Sequence, residues 1–411
     1  MKPGILLIGN YPPPFGGVPS HVRDVSHYFA ARGWQVHVVP GKSRHFGIEH
    51  PEEGVTVYRY RRRHRLRALL TMRGPGRGLR ELFPGWRTYL GYLGLCKLYL
   101  SIIRSGNIKV ISAYHIFGAA TVGAWLSRET GIPMITTIFG EIYQNTLQHW
   151  RRIKEVDFVA QHTALWLSCS RHCARSAELL GRRWSAEPLI YGIDVEHFRP
   201  HRDGMTIRAR YGWLPSDRVI VFVGRMNSQM GLDTLVQAIP LVLSQDAAAK
   251  FLVCGARSSL TENLRWFATI HPGRVAVETD IPYEELPNVY AAASVVVAPS
   301  SDERACLGLA IAEAMACGKA VIGCRVGGTT EVLIENETGM LVPPRDAFAL
   351  AGAILELAGN PKRSEELGMR GRARAVSSFD RNASNRKFEE LVNRVLAENP
   401  HSIGGTNRIS A

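Results

Sequence analysis

The sequence has no strand-to-helix turn with the G-x-G-x-x-G spacing that lets a backbone close on a dinucleotide, and it has no P-loop. "IGNYPPPFGGV", "VGRMNSQMG" and "VCGARSSL" each miss at least one of the required glycines, which excludes a dinucleotide-dependent oxidoreductase. Seven cysteines are scattered without a C-x-x-C pair, so they read as reduced thiols, mostly in the core. Cys169 and Cys173 bracket His172 at a spacing a metal could use, but nothing elsewhere completes a tetrahedral set. A D-x-D pair of carboxylates is also missing, and Asp194-x-Glu196 reads as linker, so no metal is expected.

Long apolar runs are missing too. "YLGYLGLCKLYLSII", from Tyr89 to Ile103, is broken by Lys97 and falls below the roughly 20 residues that span a bilayer, so no transmembrane helix is expected. The opening "MKPGILLIGN" lacks the apolar region and cleavage site of a signal peptide; it reads as a first buried strand, and the expected location is cytoplasmic. The aromatic interleaving and motifs of nucleic-acid readers do not occur, so no nucleic-acid partner is expected.

What remains is a soluble globular profile: 411 residues, 45% hydrophobic and 21% charged, long enough for two cores. Lys and Arg outnumber Asp and Glu by 50 to 36, for a net charge of +14, and the stretch from Tyr58 to Arg80 concentrates nine arginines. Such a block favours an anionic partner, a phospholipid surface or a phosphorylated substrate, or else is a solvated loop.

Short β-branched runs alternate with helical stretches. "GILLIGN", "WQVHVVP", "VTVYRY", "IKVISAYH" and "PMITTIFG" come first, with the helix "SHVRDVSHYFAARG" closed by Gly33. After "PLIYGIDVEHFRP" the pattern restarts with "RVIVFVGR", "KFLVCG", "RVAVETD", "SVVVAPS", "KAVIGC" and "GMLVPP". Alternation predicts an α/β fold of two Rossmann-like, doubly wound parallel-sheet domains, residues 1–190 and 195–375, followed by a C-terminal helical segment at 376–411.

"PPPFGGVPSHVRDVSHYFAARGWQVHVV", "YGIDVEHFRP", "VFVGRMNSQMGLDTLVQAI", "IAEAMACGKAVIGCRVGGTTEVL" and "NETGMLVPPRDAFALAGAILELAGNPKRSEELGMRGRA" resemble, in order and spacing, the family 4 retaining glycosyltransferases of the two-domain GT-B fold. The resemblance covers nearly the whole chain. It implies an N-terminal acceptor-binding domain, a C-terminal nucleotide-sugar domain, a C-terminal helix packing back on the first domain, and retention of anomeric configuration.

A departing diphosphate gathers negative charge as the glycosidic bond breaks, so positive potential must stand there beforehand. Arg225 ends an apolar strand where ligands of α/β folds gather, and its guanidinium can grip two phosphate oxygens; the matching family arginine contacts the donor diphosphate. The small-residue helix opening near Gly308 offers the N–H groups of Gly308, Leu309 and Ala310 to the same anion. Glu313, on that helix, resembles the second Glu of the family's E-x7-E motif, which binds the ribose hydroxyls. Gly16 and Gly17 resemble the glycine loop that approaches the donor phosphate and sugar. His115 resembles the histidine near the reaction centre. Gly327, Gly328 and Glu331 resemble a loop lining the donor pocket.

Three positions depart from the family. Ala305 stands where the first Glu of the motif would be; Glu303 is the expected replacement, reaching the sugar hydroxyls, with Asp302 as the poorer candidate. Met230 takes the place of a second diphosphate cation, for which Arg257 or Arg325 could compensate. Phe139 replaces a histidine, and Glu141 beside it reads either as an acceptor-side ligand or as a structural carboxylate. The expectation is a metal-independent glycosyltransferase with Arg225, Glu303, Glu313 and His115 in its centre. A UDP- or GDP-sugar is the donor and a glycan or lipid-linked acceptor of envelope synthesis receives the sugar, with Arg59 to Arg67 resting on an anionic membrane. The alternatives are a non-catalytic nucleotide-sugar-binding protein and a sugar-nucleotide hydrolase or epimerase.

Overall fold

The computed structural model describes residues 2–12, 16–41, 47–59, 98–143, 150–176, 178, 185–200 and 203–399. The chain forms two compact units, Met1–Leu189 with Asn385–Ala411, and Ile190–Ser384.

The first unit is built on an eight-stranded sheet in the order β3-β4-β2-β1-β5-β6-β7-β8. The strands are β1 Gly4–Ile8, β2 Gln35–Val39, β3 Gly47–Glu52, β4 Val55–Arg59, β5 Ile108–Tyr114, β6 Met134–Ile138, β7 Leu165–Ser168 and β8 Glu187–Pro188. Strands β1 and β6 are buried at every residue, and β5 at all but one. Burial on both faces is why they carry continuous apolar runs instead of alternation, and why they pair in parallel. Strand β3 is the exception. Its "GIEHPE" is mostly exposed and pairs antiparallel with β4 at the sheet edge, where a proline is tolerated and no apolar pattern marks the strand. From Asn385 the chain returns to this unit: Phe388 packs edge-on against Phe29 at 5.8 Å, and the Tyr28 hydroxyl donates to Glu389 Oε2 at 2.8 Å.

The second unit holds a six-stranded parallel sheet, β11-β10-β9-β12-β13-β14. Its strands are β9 Arg218–Val223, β10 Ala249–Gly255, β11 Val275–Thr279, β12 Val295–Ala298, β13 Ala320–Cys324 and β14 Met340–Val342. In both sheets the winding direction reverses beside the first strand, between β1 and β5 and between β9 and β12. There the loops part to opposite sides and leave a crevice at the carboxyl edge.

The helix Leu309–Ala316 crosses one face of the second sheet, and its small residues let the long helix Pro361–Ser378 come close. A Cβ on Gly368 would lie 2.1 Å from the Gly318 carbonyl oxygen, so only glycine permits this approach. Arg372 on the same helix donates to the carbonyls of Val195, Phe198 and Ala316 at 2.8, 2.9 and 3.0 Å, a cation at the negative end of the Leu309–Ala316 helix. The tail expected from 376 starts later: residues 376–378 finish the Pro361–Ser378 helix, and Arg381–Glu398 forms the next one.

Two glycine substitutions separate close approach from helix propensity. Gly368→Val is expected to lower the stability of the second unit by about 1–3 kcal/mol, through overpacking against backbone that cannot yield. Gly352→Ala, whose added Cβ meets nothing within 4 Å, is expected to leave stability unchanged or raise it by up to about 1 kcal/mol. Urea midpoints check both; equal effects would remove the packing explanation.

Candidate functional site

Four loops gather at the carboxyl edge of the second sheet. The loop after β9 and the loop after β12 are joined at Gly231, which has φ 75° and would place a Cβ 1.5 Å from the Pro299 carbonyl oxygen. Ser301 fixes the junction, its amide donating to the Gln229 carbonyl at 3.1 Å and its hydroxyl to the Ser228 carbonyl at 2.8 Å. The Gln229 amide reaches the Arg304 carbonyl at 3.3 Å. The loop after β13 is joined to the same segment by the Gly328 amide, which donates to the Ala305 carbonyl at 2.7 Å. The loop after β10 is tied in by Ser258, whose hydroxyl donates to the Met226 carbonyl at 2.6 Å.

Arg225 stands exposed on this framework, and its guanidinium has no partner among the described residues. Neighbouring cations differ. Asp302 takes Arg304 with both oxygens, at 3.0 and 3.1 Å from Nε, and this contact holds the Asp302 carboxyl below its usual range. Arg257 pairs with Glu262 and Arg325 with Glu335, each at 2.7 Å. Met230 closes the turn Ser228–Met230 and packs, partly buried, against the core of the unit.

The helix Leu309–Ala316 opens from Gly308 at φ 87°, a left-handed conformation that favours glycine. The first amide with an intrahelical acceptor is that of Ile311, bonded to the Gly308 carbonyl at 2.9 Å. The amides of Leu309 and Ala310 precede it and are the free donors of a helix start. Glu313 follows one turn further on, half-buried. Its Oε2 accepts from the Tyr290 hydroxyl at 2.7 Å, and Oε1 has no partner among the described residues. Burial pushes the Glu313 carboxyl up to about 7 from about 4.5, against the Tyr290 hydrogen bond, which favours the ionised form.

Of the other expected residues, Glu303 is exposed on the turn that the Asp302–Arg304 pair braces. Asp302, occupied by Arg304, is not available as its substitute. Gly327 and Gly328 lead into the short helix Thr329–Val332, which carries Glu331; the Glu331 carbonyl accepts from Arg374 at 2.7 Å. Asp194 accepts from the amides of Glu196 and His197 and pairs with Arg381 at 2.8 Å, the linker role expected of it.

In the first unit His115 leaves β5 with φ 83°, a strained conformation for a residue with a Cβ. Its amide donates to the Thr137 carbonyl at 3.0 Å, and its ring lies 4.7 Å from that of Phe139. Glu141 uses both oxygens on the main chain, accepting from Ile116 N at 2.9 Å and Phe139 N at 2.7 Å, and its Oε2 lies 3.7 Å from His115 Nδ1. These contacts give the carboxylate the structural role: Glu141 holds the His115 turn. Gly16 and Gly17 are exposed at the start of the helix Gly17–Ala30, two residues before the expected Pro19.

Arg59 corrects the expected membrane patch. It is 4% exposed, pairs with Glu49 at 2.7 Å and donates to the carbonyls of Tyr11 and Pro12, on the approach to the glycine turn. Residues 60–97, with the rest of the arginine block, lie outside the described residues. Among the described residues no helix is long and apolar enough to cross a membrane. Tyr290, Ser301 and Arg304 escaped sequence reasoning. Only the adjacency of Arg304 to Asp302 was a usable signal, because the other two act through contacts about 70 residues away or, for Tyr290, 23.

Two family descriptions match the chain: "Glycosyltransferase Family 4" over residues 15–186 and "Glycosyl transferases group 1" over residues 217–360. Among curated proteins, a D-inositol 3-phosphate glycosyltransferase of Segniliparus rotundus is 33% identical over 88% of this chain and 80% of its own length. Another, from Catenulispora acidiphila, is 30% identical over 73% of this chain and 74% of its own. A GDP-mannose-dependent phosphatidylinositol monomannoside mannosyltransferase of Mycolicibacterium smegmatis is 29% identical, the match spanning 58% of this chain and 61% of that protein. Among solved structures, sucrose-phosphate synthase from Thermosynechococcus elongatus superposes with TM-score 0.76 at 23% identity, over 97% of this chain and 100% of that one. Anabaena HepE, solved with UDP, gives 0.73 at 18%, over 96% and 100%. With two doubly wound units and curated relatives at 30% and 33% identity over most of their length, the chain belongs to the group 1, family 4 glycosyltransferases of the GT-B fold.

Proposed function

We propose that this enzyme transfers a hexosyl group from a UDP- or GDP-sugar to a lipid-linked or polyol acceptor of envelope synthesis, with retention and without a metal. The observation that carries the donor half is the pairing of an exposed, unpartnered Arg225 with a glycine-opened helix start at the switch point of the second sheet. Together they provide fixed positive potential where a diphosphate would depart, so charge developing on the leaving group meets donors already in place. Glu313, in the same helix, is the proposed ligand of the ribose hydroxyls. His115, on the turn held by Glu141, is proposed to meet the transferring sugar, with Gly16 and Gly17 beside the donor and Glu303 on the sugar hydroxyls.

The acceptor half rests on the relatives, whose names give inositol phosphates and phosphatidylinositol mannosides as acceptors. A lipid-linked acceptor suits a chain with Arg61, Arg62, Arg63, Arg65 and Arg67 in one short stretch, since a basic residue near an anionic surface adds about 1 kcal/mol to binding there.

Calorimetric titration with UDP, GDP and ADP in the presence of chelator tests the donor site. One nucleotide is expected to bind with micromolar affinity, and Arg225→Ala and Glu313→Ala each to weaken it at least tenfold; binding that needs a divalent cation would overturn the metal-free reading.

A second measurement uses the protein without ligand. Because folding raises the Glu313 carboxyl from about 4.5 to about 7, the folded state holds the proton more tightly over that interval. Its contribution to stability is therefore full below about 4.5 and lost as pH rises through about 7, a change of up to about 3 kcal/mol. Urea unfolding of the wild type and Glu313→Gln from pH 4.5 to 8 is expected to show the variant gaining relative stability across the interval and levelling off above it. A flat difference would contradict the assignment.

For the membrane, sedimentation with vesicles containing an anionic phospholipid is expected at low salt, with several-fold loss at high salt and in a variant with Arg61, Arg62, Arg63 and Arg65 changed to Gln. No binding at low salt would refute surface association.

A further inference from the structure

We propose that Tyr290 is the positioning residue of the donor site: its hydroxyl holds one oxygen of Glu313 so that the other faces the ribose diol of the nucleotide. This inference rests on the donor-site reading above.

A lone carboxylate can rotate about its last bond and present either oxygen, or both, in several directions. Here Oε2 is engaged by the Tyr290 hydroxyl at 2.7 Å, which leaves Oε1 as the oxygen without a protein partner among the described residues. The two lone pairs of that one fixed oxygen can accept from the two O–H donors of a vicinal diol.

Tyr290 is itself held on every side. It is fully buried, and the Phe198 ring meets it edge-on at 5.9 Å. Its helix, Leu286–Ala292, ends in carbonyls bound by two side-chain cations from other elements. Lys319 Nζ donates to Ala291 at 2.8 Å and Ala293 at 3.0 Å, and Arg208 Nε donates to Ala292 at 3.0 Å. The helix also lies against Gly204, where a Cβ would be 2.5 Å from Ala291 C. A hydroxyl on so rigid a support is suited to orienting a neighbour, not to following a ligand.

The other titratable and charged groups near the pair are few. Cys317 follows on the helix of Glu313, and Cys254 comes from β10; burial first, and then the neighbouring Glu313 charge, oppose ionisation of Tyr290. Arg372 stands at the Ala316 carbonyl and Lys319 at the end of the Tyr290 helix. Tyr290 is held well above its usual range, so it remains the donor at any working pH. It is the hydrogen bond that favours the ionised carboxylate, opposing burial.

The test is calorimetric titration of the full chain with UDP, GDP and their 2′-deoxy forms from pH 5.5 to 8.5, for the wild type, Tyr290→Phe, Glu313→Ala and the double variant. The nucleotide that binds wild type is expected to lose affinity in its 2′-deoxy form. Tyr290→Phe is expected to weaken the ribonucleotide about tenfold and move the pH midpoint of binding upward, since the ionised carboxylate loses its donor. In the Glu313→Ala background the Tyr290→Phe penalty is expected to vanish, which loss of packing alone would not produce. Wild-type binding unaffected by Tyr290→Phe, in both affinity and midpoint, would overturn the inference while leaving the donor site standing. An equal Tyr290→Phe penalty with and without the Glu313 carboxylate would also overturn it, as would equal binding of ribo and deoxy forms. No binding of either ribonucleotide to wild type would instead overturn the donor-site reading, and this inference with it.

Discussion

The main chain of Gly231 passes so close to the Pro299 carbonyl that no side chain fits between them, and the donor-side geometry depends on that contact. It brings the turn after β9, which carries Arg225, against the segment after β12, which runs to Gly308 and the helix of Glu313. Ser301 and Gln229 add three hydrogen bonds across the same seam. A cation and a helix start set on separate loops could drift apart; joined through backbone they form one preorganised electrostatic surface.

Charge is distributed around that seam with a clear division. Arg304, Arg257 and Arg325 each have an acidic partner on the surface. Arg208, Lys319 and Arg372 bind main-chain carbonyls and act on the packing of helices. Arg225 has neither kind of partner among the described residues. Met230, where the family resemblance implies a second cation, packs against the apolar core instead.

The first unit follows the same economy of support. Glu141 holds two amides and braces His115, whose positive φ needs such restraint. Arg59, the first of the arginine run, anchors the carbonyls of Tyr11 and Pro12 below the glycine turn. In both cases a charged residue that would ordinarily be taken for a ligand contact is engaged by the main chain instead.

The alternation of strands and helices and the two doubly wound units were legible in the sequence, because buried parallel strands need unbroken apolar runs; Arg225 after a strand, and Gly308 and Glu313 at a small-residue helix, were legible as local motifs. Strand β3 was not legible, since an exposed edge strand carries no apolar pattern. Nor were the roles of Glu141 and Arg59, because a carboxylate or guanidinium has the same letter whether it meets solvent, substrate or a carbonyl. The sequence by itself determined the family, the fold and the local chemistry of each motif, all set by residues near one another in the chain. Only the tertiary structure decided which charges are engaged, which oxygen of Glu313 is held, and that Tyr290 holds it, because those contacts join residues that only packing brings within a hydrogen bond.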